Sequence, residues 1–396
     1  MCSIRTAESV CAGHPDKLAD QIADQILDDI LYDDKAARVA VEVMAAGRRI
    51  IVTGEITTNH RPRIRESVRT ALARAGYSPL GILIYVWTRR QSSDINAGVT
   101  TSLEARGGDS SAFALQGAGD QGTVYGYATA ETPERLPLPL VLAHRICERL
   151  DTAQVEGTIC GIKSDGKAQV SVRYDDTGTP AAVETVVVSV QHEAGKDLAV
   201  LEREVRSLIV PPPCQPSLPI DEHTEIFVNP WGRFVEGGPR ADTGLTGRKL
   251  MVDTYGGLGS HGGGAFSGKD PSKVDRSAAY MARLIARTIV DAGLAAECEV
   301  GISYAIGKAD PVAFEVDTLG TGEYADHILT AAARDVFVLR PAGIIDVLNL
   351  RTPRYRDLAV YGHMGRDWPR WEQTWRFERD LRKAVEPRAH RAATHR

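Results

Sequence analysis

Residues 8–30, ESVCAGHPDKLADQIADQILDDI, combine a small-residue loop with the start of an amphipathic helix. One apolar side chain recurs at every fourth position, which is the period of a helical face: Leu18, Ile22, Ile26 and Ile30. Pro15 suits the first helical position, so His14 lies at the helix start with Asp16 and Lys17 in the first turn. The positive end of the helix dipole and its free backbone N–H groups then lie among these side chains. A single histidine at such a position is more often a helix cap than a catalytic residue.

A second stretch, residues 261–276, reads HGGGAFSGKDPSKVDR and predicts a nucleotide or polyphosphate site. Its four glycines lack side chains, so the backbone N–H groups can approach a ligand closely. Lys269, Lys273 and Arg276 supply positive charge for phosphate groups. Asp270 and Asp275 supply the oxygen ligands that Mg²⁺ prefers.

Two commoner glycine motifs overlap this stretch. Residues 263–269 fit the P-loop spacing GxxxxGK, but Asp270 follows where a Ser or Thr should hold Mg²⁺. Residues 257–262 fit GxGxxG, with a candidate strand at 249–255 before them, but more glycine follows where a helix is required. A flexible glycine loop with solvated charges is the plainest alternative.

Two more glycine-containing islands complete the pattern. Residues 116–122 read QGAGDQG, which leaves Asp120 and Gln121 as almost the only functional side chains on a tight loop. Residues 229–255 read NPWGRFVEGGPRADTGLTGRKLMVDTY and carry several charged side chains. Each island taken alone is explained equally well by turn chemistry.

Taken in this order, the runs GHPDK, GAGDQG, DTGLTGRK and GGGAFSGKDPSKVDRSAAY resemble the S-adenosylmethionine synthetase family, and GEITT and SYAIG match weakly. The resemblance covers about residues 5–366. It implies an α+β fold of three similar sheet-and-helix domains in a pseudo-three-fold arrangement. We expect an N-terminal domain at 1–101, a central domain at 112–231 and a C-terminal domain at 232–367. A Trp-containing helix and a disordered basic tail should follow at 368–396.

The resemblance implies that methionine sulfur attacks C5′ of ATP and expels the triphosphate, which is then hydrolysed to pyrophosphate and phosphate. A thioether is already a nucleophile, so alignment and stabilisation of the leaving oxygen are needed rather than a general base. The implied catalytic residues are His14, Lys167, Arg248, Lys269 and Lys273. The implied ATP-binding residues are His14, Asp165, Lys167, Arg233, Phe234, Asp242, Arg248, Lys249, Ala265 and Lys269.

The family also implies a methionine site, metal ions and an assembly. The implied methionine-binding residues are Glu55, Gln91, Asp120, Asp242 and Lys273. Asp16 and Asp275 are the implied ligands of Mg²⁺, with two ions per active site, and Glu42 is the implied ligand of K⁺. The active site should form between subunits of a homodimer or homotetramer.

Two rival functions stay open. A non-catalytic nucleotide-binding relative should have lost His14, a triphosphate lysine or a metal carboxylate, but all of these are present. An ATP-dependent phosphotransferase using residues 263–269 would give ADP and a phosphorylated acceptor, so the reaction products separate it from the other readings.

Composition limits the class of protein. The 396 residues are enough for two or three domains, and 43% hydrophobic and 25% charged residues are ordinary for a globular protein. A net charge of −5 argues against nucleic acid as the main partner. The six cysteines form no CxxC pair, and no apolar run is long enough for a membrane span. We therefore expect a cytoplasmic enzyme with no membrane or nucleic-acid partner, and the family resemblance implies a role in one-carbon metabolism.

Local patterns predict the elements of the three domains. Hairpins are expected at 38–57 and 168–191, helices at 64–75, 196–209 and 273–292, and strands at 249–255, 299–305 and 312–316. Leu80–Trp87 is apolar and β-prone, which predicts a buried strand. Trp368, Trp371 and Trp375 have the spacing of a packed helical face, and residues 388–396 should be disordered.

The chain departs from the family pattern at a few places. Cys11 and Ala12 replace a usual Ser-Glu pair, Ala97 replaces a common Gln, and Thr243 stands where bacterial relatives often have Cys. The segment 77–91 is several residues shorter than usual, and residues 89–90 are Arg-Arg in place of Gly-Lys. These departures spare the implied site residues but leave the tolerance for methionine analogues open.

Overall fold

A computed structural model describes residues 3–92, 100–211, 218, 220–352 and 354–394, with side chains through His390. Cys2, Ala97 and Cys214 lie outside the described residues. Within that part of the chain, the strands are β1 (Ser3–Val10), β2 (Arg38–Ala46), β3 (Arg49–Thr57), β4 (Leu83–Arg89), β5 (Gly122–Thr129), β6 (Ile162–Tyr174), β7 (Pro180–His192), β8 (Glu225–Val228), β9 (Gly244–Leu245), β10 (Glu297–Tyr304) and β11 (Ala313–Asp317). The α-helices there are α1 (Pro15–Asp33), α2 (Ile64–Arg74), α3 (Leu103–Arg106), α4 (Leu138–Glu156), α5 (Leu198–Glu204), α6 (Leu250–Asp253), α7 (Val274–Asp291), α8 (Asp326–Val336), α9 (Pro341–Val347) and α10 (Glu378–Thr394).

The described strands form three sheets, as the α+β prediction requires. The first sheet has the order β1-β6-β7-β8, the second β11-β10-β5 and the third β4-β3-β2-β9. Neighbouring strands are antiparallel except β7 with β8 and β3 with β4, which are parallel. Helices pack on the sheets, which makes the architecture α+β.

Each sheet contains one strand from a different part of the sequence. β1, from the chain start, pairs with β6 of the middle segment, and β5 of the middle segment pairs with β10 near the end. β9, from the last third, pairs with β2 of the first. The three segments are therefore tied together by backbone hydrogen bonds, and the linear boundaries at 101, 112, 231 and 367 stay a prediction about the sequence.

The hydrophobic core has two clusters. The larger one joins α1 and α2 with α7, β2, β3, β5 and β10, so the first and last thirds of the chain share a single core. The smaller one lies between α4 and strands β6 and β7 of the middle segment. Helix α7 packs directly on β5, where a Cβ on Gly126 would overlap the backbone of Ala282. The glycine is required there because only hydrogen fits between the strand and the helix.

Most local predictions are confirmed. β2 and β3 form the first hairpin, whose turn contains Gly47 at φ 57°, and β6 and β7 form the second. Gly76 follows α2 at φ 81° and Gly293 follows α7 at φ 69°, a backbone conformation that favours glycine after a helix. The predicted helix at 196–209 is α5, followed by a π-helical turn over Val205–Ile209.

Two strand predictions are wrong in an instructive way. Residues 249–255, expected to be a strand, contain helix α6, so no strand precedes the GxGxxG-like glycines. Residues 80–87 do lead into a strand, but it starts at Leu83 and one face of it is not buried. The side chains of Leu83, Tyr85 and Trp87 are 51%, 48% and 79% exposed. Successive side chains of a strand point to opposite faces of the sheet. An unbroken apolar run therefore does not prove that both faces are buried.

The tryptophans of the C-terminal segment do not form the single packed helical face that their spacing predicts. Trp371 is buried and stacks on Tyr280 with ring centroids 3.9 Å apart, whereas Trp375 is 73% exposed. These tryptophans lie in two short 3₁₀ turns, Arg370–Glu372 and Thr374–Arg376, rather than on one helical face. Helix α10 covers Glu378–Thr394, and its first turns are anchored by Leu381 and Val385, which are buried one helical turn apart. In the described part of the chain, no helix is long and apolar enough to cross a membrane.

Candidate active site

His14 caps the N-terminus of α1. Its Nδ1 accepts a hydrogen bond from the backbone N–H of Asp16 at 3.2 Å, and Pro15 begins the helix. With Nδ1 acting as acceptor, the neutral imidazole carries its proton on Nε2. Burial, followed by the charge of Lys249, lowers the pKa of His14 to about 4, even though Asp16 acts in the opposite direction. His14 is therefore a neutral N–H donor at physiological pH.

The loop before His14 is held by side chains from distant segments. Asp151 accepts the backbone N–H of Ala12 at 2.8 Å and also a hydrogen bond from the hydroxyl of Tyr361. Tyr77 donates to the carbonyl of Gly13, and a Cβ on Gly13 would overlap Ser164. This close fit fixes the position of the imidazole. These contacts are not visible in the sequence, since nothing local marks Asp151 or Tyr361 as partners of residues 12–13.

Asp16 lies beside His14 and is contacted by two cations. Lys249 Nζ lies 2.6 Å from Asp16 Oδ2, and Arg248 Nη1 lies 3.8 Å from Oδ1. Burial disfavours the charged carboxylate, but the hydrogen bonds from Lys249 and from the backbone N–H of Leu245 outweigh it and lower the pKa of Asp16. The carboxylate is thus ionised and close to both cations that the sequence predicts to contact phosphate.

The glycine-rich loop brings a second cation and carboxylate together. Lys269 Nζ lies 2.6 Å from Asp275 Oδ2, and a Cβ on Gly264 would overlap the same carboxylate. The glycine-rich loop packs closely against the loop that carries Lys249. A Cβ atom built on Gly247 would lie only 2.6 Å from the Cβ of Ala265. Five of the predicted residues, from two loops and α7, therefore share one region: Arg248, Lys249, Ala265, Lys269 and Asp275.

Lys273, another of the predicted lysines, lies where this region meets the QGAGDQG loop. Lys273 Nζ lies 2.8 Å from Asp270, which also accepts the backbone N–H of Val39. A Cβ on Gly119 would contact the carbonyl of Ser272 at 3.0 Å, so the loop of Asp120 packs against the residue before Lys273. Sequence proximity could not show this, because the two loops are more than 150 residues apart.

The adenosine-side predictions lie around strands β6 and β7. Lys167 pairs with Glu8 across β1 and β6, and Asp165 accepts the backbone N–H of Gly238 at 2.7 Å. Burial raises the pKa of Asp165 to about 6, and the charge of nearby Asp242 adds to the shift. Asp242 also interacts electrostatically with His14, so Asp242 lies near the imidazole.

Arg233 and Phe234 follow β8 on a turn that is fixed by His192. The backbone N–H of Phe234 donates to His192 Nε2 at 2.9 Å, and the carbonyl of Phe234 accepts the N–H of His192 at 2.9 Å. The ring of Phe234 lies 5.9 Å from that of Trp231, giving an aromatic surface next to the turn. His192 is a positioning contact that the sequence analysis missed.

The remaining predicted residues lie on the outward face of the third sheet. Glu42 of β2 and Glu55 of β3 share this face with Trp87 of β4, since pairing aligns Glu42 with Thr53 and Thr53 with Trp87. Arg89 Nη2 lies 3.2 Å from Glu55, and the backbone N–H of Gln91 donates to the Thr57 hydroxyl at 3.2 Å. The contacts of Glu55 and Gln91 are thus with this sheet rather than with the His14 region.

A buried ionic network under the site was not predicted. Lys17, which is fully buried, contacts both Asp20 and Asp253, and Arg276 pairs with Asp24 at 2.7 Å. The charges of Asp20 and Asp253 overcome the burial of Lys17 and keep its pKa above the ordinary value. A sequence signal existed, because aspartates recur every fourth residue along α1, but it resembled an ordinary solvated helix face.

Mg²⁺ prefers hard oxygen ligands, and the candidate site offers them. Asp16 and Asp275 each present a carboxylate now paired with a lysine. In the described residues, no three His, Cys, Asp or Glu side chains are grouped to hold a metal. This donor set fits Mg²⁺, which commonly takes one or two protein carboxylates and completes its shell with phosphate oxygens and water.

The three sheets and the clustered cation–carboxylate pairs define an enzyme that handles a polyphosphate-bearing substrate. The chain matches the S-adenosylmethionine synthetase N-terminal domain over residues 3–91, the central domain over 115–234 and the C-terminal domain over 236–373. It is 50% identical over 368 residues to the S-adenosylmethionine synthase of Desulforudis audaxviator (strain MP104C), covering 91% of this chain and 93% of that protein. The chain therefore belongs to the S-adenosylmethionine synthetase family, whose reaction forms S-adenosyl-L-methionine from ATP and L-methionine.

The protonation state of His14 can be tested directly. Histidine NMR of the ligand-free protein should show a neutral ring with its proton on Nε2 from about pH 6 to 8, and a titration midpoint near pH 4. Replacing Lys249 by Met should raise this midpoint, because it removes a positive charge that opposes protonation. A His14→Ala sample identifies the resonance. A midpoint near the ordinary value of about 6.5 would contradict the assignment.

Proposed function

We propose that the N-terminus of α1 and the two loops beside it hold the triphosphate of ATP during formation of S-adenosyl-L-methionine. The observation that carries the proposal is His14, whose Nδ1 is engaged and whose Nε2–H remains as a donor among paired cations. Sulfur attack on C5′ places new negative charge on the bridging oxygen of the leaving triphosphate. A fixed N–H donor at that oxygen stabilises the transition state more than the ground state.

The cations have the role of holding the triphosphate before and after cleavage. Lys167, Lys249, Lys269 and Lys273 are each paired with a carboxylate in the structure. These pairs keep the lysines oriented, and the incoming phosphates replace or share the carboxylates as partners. Asp165, Asp242, Arg233 and Phe234 surround the adenosine, and Glu55, Gln91 and Asp120 bind methionine. Hydrolysis of the bound tripolyphosphate to pyrophosphate and phosphate completes the reaction.

Two kinds of metal ion belong to this proposal. Asp16 and Asp275 would each bind Mg²⁺, and bound Mg²⁺ supplies Lewis-acid neutralisation of the phosphate charge. Glu42 would bind K⁺ on the outward face of the third sheet, near the Lys269 loop. Support for this position comes from the electrostatic interaction of Glu42 with Lys269.

The proposed enzyme is a homodimer, or a homotetramer built from such dimers. Support comes from the third sheet, where Leu83, Tyr85 and Trp87 form an exposed apolar face in the single chain. An apolar face of this kind on a sheet marks a protein interface. The methionine-side residue Glu55 belongs to the same sheet and Gln91 follows its strand β4, so a second copy packed there would complete an active site between subunits. We place the enzyme in the cytoplasm, with ATP and L-methionine as its partners.

Product analysis tests the reaction and the role of His14. ATP and L-methionine with Mg²⁺ should give the sulfonium product, pyrophosphate and phosphate by mass detection. His14→Ala should slow sulfonium formation roughly 10²–10³-fold, the scale for one donor to a developing oxyanion. Hydrolysis of added tripolyphosphate should suffer less, because that step does not break the C5′–O bond.

The matched control is His223→Ala, which removes a surface histidine and should leave both rates unchanged. Equal losses of synthesis and hydrolysis in His14→Ala would remove His14 from the proposed role. ADP with a phosphorylated acceptor would instead support a phosphotransferase, and an absence of products would support a non-catalytic nucleotide-binding protein.

The metal assignment predicts a specific cation response. Activity should disappear on removal of Mg²⁺ and rise with K⁺ relative to Na⁺ at constant ionic strength. Glu42→Gln should lose most of the K⁺ response, because it removes the anionic ligand. Glu315→Gln removes an exposed carboxylate from strand β11 and should keep the full response. A wild-type enzyme indifferent to K⁺ contradicts the site.

The dimer is tested by placing a charge on the exposed apolar face. Trp87→Asp should shift the protein toward monomer and lower its activity in parallel, because a buried unpaired carboxylate disrupts an interface. Trp375→Asp is the matched control, since Trp375 is similarly exposed on a different surface. Size-exclusion chromatography with light scattering measures the mass at assay concentration. A wild-type monomer with full activity refutes the proposal.

A further inference from the structure

Helix α1 carries four aspartates that follow one another at every fourth position. Their side chains lie on one helical face, separated by about 6 Å along the axis from one to the next. All four are buried, with residue exposures of 3%, 0%, 0% and 5%: Asp16, Asp20, Asp24 and Asp28. We call this set the aspartate ladder. It is distinct from the apolar face of α1, so the helix is buried on both sides.

Each carboxylate of the ladder accepts a backbone N–H from a distant segment. Asp16 accepts from Leu245 at 3.0 Å, Asp20 from Gly247 at 2.9 Å and Asp24 from Gly268 at 2.8 Å. Asp28 accepts from Tyr355 at 2.8 Å and from Arg356 at 3.0 Å. Hydrogen bonds from N–H groups to a carboxylate are among the stronger kinds in proteins. The ladder therefore fixes three loops against α1.

Two further cations allow the ladder to remain buried. Lys17 lies between Asp20 and Asp253, and Arg276 pairs with Asp24 while donating to the carbonyl of Lys269 at 2.9 Å. Burying charges is costly unless they are paired and hydrogen-bonded, and Asp20 and Asp24 meet both conditions.

The middle contacts of the ladder are made to the residues that precede the phosphate-binding side chains. Gly247 comes directly before Arg248 and Lys249, and Gly268 directly before Lys269. Both glycines have positive φ, 74° and 79°, and a Cβ on either would meet neighbouring atoms. The backbone at these points has little freedom to move, so the position of each N–H also sets the direction of the side chain that follows.

We infer that Asp20 and Asp24 are positioning residues of the triphosphate site, acting through the Gly247 and Gly268 loops, whereas Asp28 makes the same kind of contact for stability alone. This inference rests on the proposed triphosphate role of Lys249 and Lys269. Loss of an anchor lets the loop relax, and the cation it carries then meets the phosphate less well. The Gly247 loop that Asp20 anchors carries none of the proposed methionine-binding residues, so loss of this anchor should leave methionine binding unaffected.

The test compares the same substitution at two steps of the ladder. Asp20→Ala and Asp28→Ala each remove a buried carboxylate from one face of one helix, and both should lower the melting temperature. Only Asp20→Ala should weaken the binding of Mg²⁺-tripolyphosphate by calorimetry, on the order of tenfold for one lost charge-assisted anchor. The KM for methionine should change less than about twofold in both variants.

Conservative replacement separates the hydrogen bond from the charge. Asp20→Asn keeps an oxygen that can accept the Gly247 N–H, and Lys17 keeps Asp253 as its partner. Asp20→Asn should therefore recover most of the tripolyphosphate affinity that Asp20→Ala loses. If Asp20→Ala does not fold, Asp20→Ser takes its place, because its hydroxyl is too short to reach the Gly247 N–H.

Amide exchange of the wild-type protein gives a second, mutation-free measurement. The N–H groups of Gly247 and Gly268 should be protected in the absence of any ligand. Rapid exchange at both amides overturns the inference, as does equal tripolyphosphate affinity in Asp20→Ala and Asp28→Ala. Tripolyphosphate binding by Lys249→Met distinguishes a failure of the positioning role from a failure of the proposed triphosphate role. If that variant binds tripolyphosphate as the wild type does, the triphosphate role fails, and the positioning role falls with it.

Discussion

Buried carboxylates on helix α1, each bonded to the backbone of a distant loop, are the contacts on which the site depends. A charged face would normally turn to solvent, and here it is covered by the Gly247 and Gly268 loops, with Lys17 and Arg276 as counter-ions. Breaking a buried pair by removing one partner commonly costs about 3–5 kcal/mol, because the other charge stays behind in a poor environment. The arrangement thus discourages alternative loop positions as well as stabilising this one.

Strand exchange among the three sheets brings these loops to α1. β9, which joins the edge of the third sheet beside β2, leads directly into the loop of Arg248 and Lys249. An isolated bridge between Ala40 and Lys269 holds the glycine-rich loop against the same strand. The sheet made by the first third of the chain is therefore the support for cations contributed by the last third. The two segments also share one hydrophobic core, so neither can shift far without the other.

The lysines of the candidate site are paired with carboxylates in the described structure. Four lysines are each held by a carboxylate, which limits their side-chain freedom before a ligand arrives. His14 differs from them because burial and Lys249 keep its pKa low, so it contributes a dipole and a proton donor rather than a charge. A neutral donor suits an oxygen whose charge appears only in the transition state, because its interaction strengthens as the bond breaks.

The sequence by itself determined the family, the mixed α+β class and the local elements whose causes are local. Pro15 and His14 mark the start of α1, Gly47 the first hairpin turn, and Gly76 and Gly293 the residues after two helices, since each depends on backbone conformation at one or two positions. The glycine and lysine runs likewise predicted which residue types the chemistry would use.

Only the tertiary structure decided which face of an element is covered and which charges meet. The apolar run at Leu83–Trp87 has one exposed face because no described element packs on it, and a sequence pattern cannot report what lies opposite. The aspartates of α1 resembled a solvated face, but their partners lie up to 328 residues away in the chain. Charge pairing and burial act through space rather than along the sequence. The four-residue spacing of the aspartates could therefore be read from the sequence, but their burial against distant loops could not.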